Sequence, residues 1–134
     1  MMLNRTISPA IKDAVEFNLT LKPYTKFSLA NSAPVYYIND GTEEVALIEM
    51  VFNAGNSYEN KNLVASTTNY LIKNGTKNKT ALEINEHVEY YVAYLNRSCH
   101  NESARMLLQC LANHLKVLLP VLKEIRTDAI FPEQ

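Results

Sequence analysis

The sequence predicts an α+β fold, an antiparallel or mixed sheet with helices packed on it, in the order β-β-α-α-β-β-α. Three observations carry this. Residues 45–54 alternate, with Ala46, Ile48, Met50, Phe52 and Ala54 on one face, the period of a strand. Thr80-Ala81-Leu82-Glu83 is a capping box, followed by Ile84, Val88 and Tyr91 at helical spacing. Residues 94–110 read as a hairpin turning near Asn101, with Ala104, Met106, Leu108 and Cys110 sharing a face. Hairpins beside amphipathic helices define the α+β class.

In chain order, residues 1–25 are a polar lead-in with Pro9 and Pro23, in which residues 17–21 alternate as a short strand. Asn31-Ser32-Ala33-Pro34 reads as a turn, and Val35-Tyr36-Tyr37-Ile38 as a β-branched and aromatic strand. Asn39-Asp40-Gly41 is a second turn signal, so residues 45–54 are expected to pair antiparallel with that strand. The other face of residues 45–54 holds Val45, Leu47 and Val51 beside Glu49, which predicts a central strand between helical layers. A helix is expected over residues 61–73, stopped by Asn74-Gly75. Thr76 to Lys79 is loop. The last helix starts near Ala112 or Asn113, with Leu115, Leu118, Leu119, Leu122 and Ile125 inward and Pro120 interrupting a backbone bond. One tyrosine of each adjacent pair, Tyr36-Tyr37 and Tyr90-Tyr91, is expected in the core.

The composition excludes several functions. Lys and Arg total 13 against 14 Asp and Glu, a net charge of −1, with 47% hydrophobic residues. A disordered chain is less apolar than this, and a nucleic-acid binder is more basic. No apolar run approaches the ~20 residues of a spanning helix, so no membrane partner is expected. The start has no apolar signal core, which places the chain as given in the cytoplasm, the periplasm remaining open for a truncated N-terminus. Cys99 and Cys110 are too few for a disulfide framework, and a hairpin puts Cys99 opposite Ser103, so both are expected as free thiols. Three histidines offer no metal set. His87 shares a helix face with Glu83 as an exposed pair, His100 lies at the hairpin turn beside Cys99, and His114 has a capping or surface place.

Ala54-Gly55-x-Ser57-Tyr58-Glu59, then Leu63-x-Ala65, Leu71 and Asn74-Gly75-Thr76, resembles the opening of the insulinase/pitrilysin family of zinc peptidases. These are inverted zincins, and mitochondrial processing peptidase is of the same kind. The likeness continues through Thr80-Ala81-x-x-Ile84, Tyr94-Leu95-Asn96 and Phe131-Pro132-Glu133. In that family the helix before Asn-Gly-Thr carries His-x-x-Glu-His, two zinc-binding imidazoles on one helix face with a glutamate that takes a proton from the metal-bound water. The resemblance puts this motif at Ser66-Thr67-Thr68-Asn69-Tyr70. Ser66 and Tyr70 stand in place of the imidazoles, and Asn69 in place of the base. A neutral hydroxyl is a poor zinc ligand, a phenol is protonated near neutrality, and an amide is no general base. The family's third ligand, a glutamate, lies further on than the chain given reaches.

The resemblance thus implies a framework without its chemistry. It implies a non-catalytic homologue, the metal-free half that pairs with a zinc-bearing half to enclose and hold peptide substrate. It implies no cofactor in this chain, zinc being expected only in an active partner. That partner is a catalytic zinc-peptidase subunit or the second half of a longer native chain, and an oligomer is expected. Asn96 matches an asparagine on the strand edge beside the family's zinc, so Asn96, Arg97 and Ser98 form the candidate edge for extended peptide. Two other readings stand beside this one: a purely structural scaffold subunit of a larger complex, and an active zinc metallopeptidase with ligands outside the chain given. A domain of the resembled family needs roughly 200 residues. Residues 26–134 are therefore expected to be an incomplete domain, leaving a sheet edge and an apolar helix face to be covered.

Overall fold

The first pairing joins β1 (Thr25–Ser28) to β2 (Pro34–Tyr37), with Thr25 opposite Tyr37 and Ser28 opposite Pro34. The structure is a computed structural model that describes residues 20–131. It falls into two compact units, one ending at Gly41 and one beginning at Thr42. In the first unit the turn is closed by Leu29 N–H donating to the Ala33 carbonyl at 2.9 Å, with Ser32 in the left-handed region at φ 64°. Tyr24 packs on Tyr36 at 5.6 Å, Lys26 lies over the Tyr36 ring, and Lys22 pairs with Asp40. Residues 25–28 are thus a strand that the sequence reading left uncounted. Tyr36 and Tyr37 are both exposed, so neither is core. Most of the strand expected at residues 17–21 lies outside the described residues.

The second unit holds β3 (Val45–Phe52), α1 (Val64–Leu71), α2 (Ala81–Tyr90), β4 (Tyr94–Cys99), β5 (Ala104–Leu111) and α3 (Leu115–Thr127). Its sheet has the order β3-β5-β4, all antiparallel. This corrects the expected pairing of residues 45–54 with β2. β3 finds in β5 a strand of its own length and matches it over eight residue pairs, while β2 takes β1 across a short turn.

Side chains directly opposite in an antiparallel pair share a face. One face of the sheet therefore carries Ala46, Ile48 and Met50 from β3, Met106, Leu108 and Cys110 from β5, and Leu95 from β4. Ile84 and Val88 of α2, and Leu118, Val121, Leu122 and Ile125 of α3, close over this face as the core. The other face carries Val45, Leu47, Glu49 and Val51, beside Arg105, Leu107 and Leu111 and then Tyr94. Leu47 is 59% exposed and Val51 55%. β3 is therefore an edge strand buried on one side, not a central strand between two helical layers. β5 is the central strand.

α2 begins as the capping box requires, with Glu83 N–H donating to Thr80 Oγ1 at 3.2 Å and Thr80 N–H to Glu83 Oε2 at 2.7 Å. α1 is shorter than expected and ends at Leu71. α3 runs unbroken through Pro120. Pro120 and Lys116 are exposed, so the carbonyl that loses its partner faces water. Leu119 points outward and Val121 inward, because the buried stripe is Leu118, Val121, Leu122 and Ile125. A 3-10 turn over Ala112–His114 precedes α3. No helix among the described residues is long and apolar enough to cross a membrane.

Candidate functional site

The loop after β3 is fixed before α1 begins. Gly55 is buried, and a Cβ there would run into the carbonyl oxygens of His100 and Asn101. Asn56 N–H donates to the His100 carbonyl at 3.0 Å and Ser57 N–H to the Asn101 carbonyl at 2.7 Å. This close approach ties the loop to the β4–β5 turn and requires glycine. The Glu59 carboxylate then accepts from Leu63 N–H and Ala65 N–H, both at 2.9 Å. It satisfies orphan donors at the start of α1 while Leu63 holds φ at 72°. Those turns consume residues 59–63, which is why α1 starts at Val64.

The end of α1 is fixed in the same way. Gly75 is buried at φ +145°, and Thr76 is 3% exposed. Thr76 Oγ1 donates to Glu124 Oε1 at 2.7 Å, and Lys79 Nζ to Glu124 Oε2 at 2.7 Å. These bonds hold the Glu124 carboxyl below its ordinary range, the one from Lys79 first. Gly55, Glu59, Gly75 and Thr76 are all residues that carry the family resemblance. In this structure each holds α1 in place.

Ser66, Asn69 and Tyr70 stand at i, i+3 and i+4 on α1 and share a side of it. Ser66 Oγ donates to the Leu63 carbonyl at 3.2 Å, within its own helix. Asn69 is half-buried and Tyr70 is 68% exposed. From β4, Arg97 reaches across: its Nη1 donates to the Tyr70 carbonyl at 2.7 Å and its guanidinium lies 5.6 Å from the Tyr70 ring centre. A cation at a helix C-terminus is favourable, as is one over an aromatic face. Burial pushes the Arg97 guanidinium down, opposed by Tyr70. It also pushes the nearby Lys73 ammonium down, with the Arg97 charge acting in the same direction and Glu89 against both.

A hydroxyl, an amide, a phenol and a fixed guanidinium do not suit a divalent cation. Zinc takes thiolate, imidazole or carboxylate ligands, and the positive charge over Tyr70 opposes a metal. Among the described residues no group of three His, Cys, Asp or Glu could hold one. Glu83 is engaged by Thr80 and not by His87. His87 is half-buried against Tyr91 at 5.1 Å, so the exposed pair with Glu83 is not formed. His114 neither caps nor stands free. Its Nδ1 lies 3.1 Å from the Tyr91 carbonyl and its ring 5.2 Å from the Tyr91 ring. Both histidines brace Tyr91, the half-buried member of its tyrosine pair. Cys99 lies opposite Ala104, one residue from the expected place, and its Sγ donates to Asn56 Oδ1 at 3.4 Å, not to His100's ring. Cys99 and Cys110 are free thiols.

β4 is the edge of the sheet on the α1 side. His100 N–H donates to the Ser103 carbonyl at 2.8 Å, which sets the alternation of the antiparallel ladder. Asn96 and Ser98 bond toward β5, and Leu95, Arg97 and Cys99 direct their backbone groups outward. The outward N–H of Arg97 donates to Asn96 Oδ1 at 2.8 Å. Asn96 thus covers a donor of its own edge, a device that blunts edge pairing. The predicted site residues Asn96, Arg97 and Ser98 do lie on this edge, next to α1. The reach of Arg97 to α1 spans 27 residues of sequence and had no local signal.

An antiparallel sheet with helices on one face, and α1 beside the strand β4, define an α+β fold. Two solved structures share it. One is a peptidase M16 inactive domain from Pseudomonas fluorescens, at a TM-score of 0.77 and 22% identity over 81% of this chain. The other is a protease from Helicobacter pylori, at a TM-score of 0.76 and 21% identity over 84% of this chain. The chain has the fold of these M16-like peptidase domains, as the resemblance implied. It spans about a quarter of their lengths, 27% and 28% respectively. Comparison with models of protein families finds no match, and comparison with curated proteins finds none.

Proposed function

We propose that the chain is a non-catalytic homologue of the insulinase/pitrilysin-like zinc peptidases, a metal-free element that holds extended peptide beside a zinc-bearing partner. The observation that carries this is the substituted face of α1. Ser66, Asn69 and Tyr70 replace the ligand and base positions, and the Arg97 guanidinium occupies the space beside them. The similarity to an M16 inactive domain supports the same reading. The helix is kept in place by residues outside the face of Ser66, Asn69 and Tyr70, which is what a framework retained for binding needs. The partner is a catalytic zinc-peptidase subunit or a second half of a longer chain. The proposed compartment is the cytoplasm, where the free thiols of Cys99 and Cys110 stay reduced.

The test is co-purification with a zinc-containing M16 peptidase from the same source. The expected result is a stable complex whose peptide cleavage exceeds that of the zinc-bearing chain alone. A chain that purifies alone and leaves that cleavage unchanged overturns the proposal.

A second reading, a structural scaffold subunit, is favoured by the exposed apolar sheet face around Leu47, Val51 and Tyr94. It requires stable incorporation in an assembly without affinity for peptide. A zinc peptidase with ligands outside residues 1–134 requires chelator-sensitive cleavage by the assembled protein.

A further inference from the structure

The chemistry gathered where α1 meets β4 is one-sided. Arg97 and Lys73 are both partly buried there, and neither makes an ion pair among the described residues, where Lys22, Lys77, Lys79 and Arg105 all do. The Tyr70 carbonyl uses one of the five N–H groups of the guanidinium. The side chains of α1 beside it are a phenol and an amide, Tyr70 and Asn69, and carry no negative charge. Glu89 is the carboxylate whose field reaches Lys73. A half-buried guanidinium with donors to spare favours an incoming anion.

The ladder says where that anion would come from. Arg97 lies opposite Met106, a core residue, so its side chain projects on the helix-covered face. Its backbone groups point out of the edge, which pairs with no other strand among the described residues, and Asn96 Oδ1 is the acceptor that holds its N–H. A strand added to this edge would displace that amide and place a residue directly opposite Arg97. Opposite residues share a face, so the added residue's side chain would enter the α1 side, next to the guanidinium. Its neighbours one step along would point to the other face, beside Asn96 and Ser98.

We infer that the β4 edge selects an extended peptide with an aspartate or glutamate opposite Arg97, its carboxylate held by the Arg97 guanidinium. This rests on the proposed role of the chain as a holder of extended peptide, and it adds the substrate class: acidic segments in strand conformation.

The experiment is isothermal titration calorimetry of the full chain with two end-blocked heptapeptides of alternating threonine and valine. They differ only in carrying aspartate or asparagine at the centre. The aspartate peptide is expected to bind about fivefold more tightly in low salt, the upper range for an opposite-charge cross-strand pair. The difference should fall below about twofold in concentrated sodium chloride, because the pair is only half-buried and is screened. Arg97→Met should abolish the preference in low salt, and Arg97→Lys should retain part of it, with circular dichroism melting curves reporting the fold of each variant. If a variant does not fold, the salt series on the unaltered protein decides. Equal affinity for the two peptides overturns the acidic preference and leaves the peptide-holding role standing. Binding of neither peptide overturns both.

Discussion

Glu124 joins α3 to the loop of residues 76–79 through its two oxygens, and its chemistry fixes a pH dependence. Hydrogen bonds from Lys79 and Thr76 hold its carboxyl below the ordinary value in the folded chain. A depressed carboxylate stabilises the fold fully above its unfolded pKa of about 4.3, and the contribution is lost as pH falls through the lower folded value. Glu124→Gln should therefore have a lower urea midpoint than the parent at pH 7. The gap should close progressively below about pH 4.5; a gap independent of pH would contradict the assignment. Asn96 gives a second residue-scale expectation. Its amide oxygen covers the outward N–H of Arg97, so Asn96→Ala should uncover an edge donor and tighten binding of an extended peptide, by about fivefold for one hydrogen bond of ordinary net strength. Weaker binding in calorimetry would mean that Asn96 contacts the peptide directly.

At the scale of elements, α1 is the one whose placement matters and whose own stability is least. It has eight residues and none is buried, and so short a helix is marginal by itself. The Glu59 carboxylate at its start therefore carries weight. Glu59→Ala should cost about 1 kcal/mol in urea unfolding, the size of a lost N-terminal cap, and should loosen the amides of residues 63–66 in hydrogen exchange. Protection of those amides at parental levels would show that α1 does not depend on this cap. Elements set by local chemistry were legible in the sequence. The Thr80–Glu83 box marks the start of α2, and the β4–β5 hairpin forms around Asn101 with Cys99 only one residue from its expected partner. Elements set by distant chemistry were not. β3 reads as apolar on both faces whether its second face is covered or open, and nothing near residue 45 reveals that its partner is β5. The placement of Ser66, Asn69 and Tyr70 along one side of a helix was legible from the helix expected over residues 61–73. The cation beside them was not, because Arg97 reaches Tyr70 from another element.

The second unit is a one-sided layer: a core between the helices α2 and α3 and one face of a three-stranded sheet, with the opposite face apolar and exposed. Leu47, Val51, Leu107, Leu111 and Tyr94 lie together on that face around the Glu49–Arg105 pair. Apolar surface of this extent marks an interaction site or an aggregation liability. The chain is therefore expected to self-associate at high concentration when it is without a partner. Leu47→Lys should shift sedimentation toward monomer with little change in urea midpoint, since the side chain is already 59% exposed. A monomeric parent at every concentration would contradict this use of the face. On the other side of the molecule α1 carries Ser66, Asn69 and Tyr70, with the Arg97 guanidinium over the Tyr70 ring, and the proposal is that this face holds no metal. It is tested most directly by elemental analysis of the purified chain after dialysis against micromolar zinc. The account requires far less than one zinc per chain, and stoichiometric zinc resistant to further dialysis would contradict it.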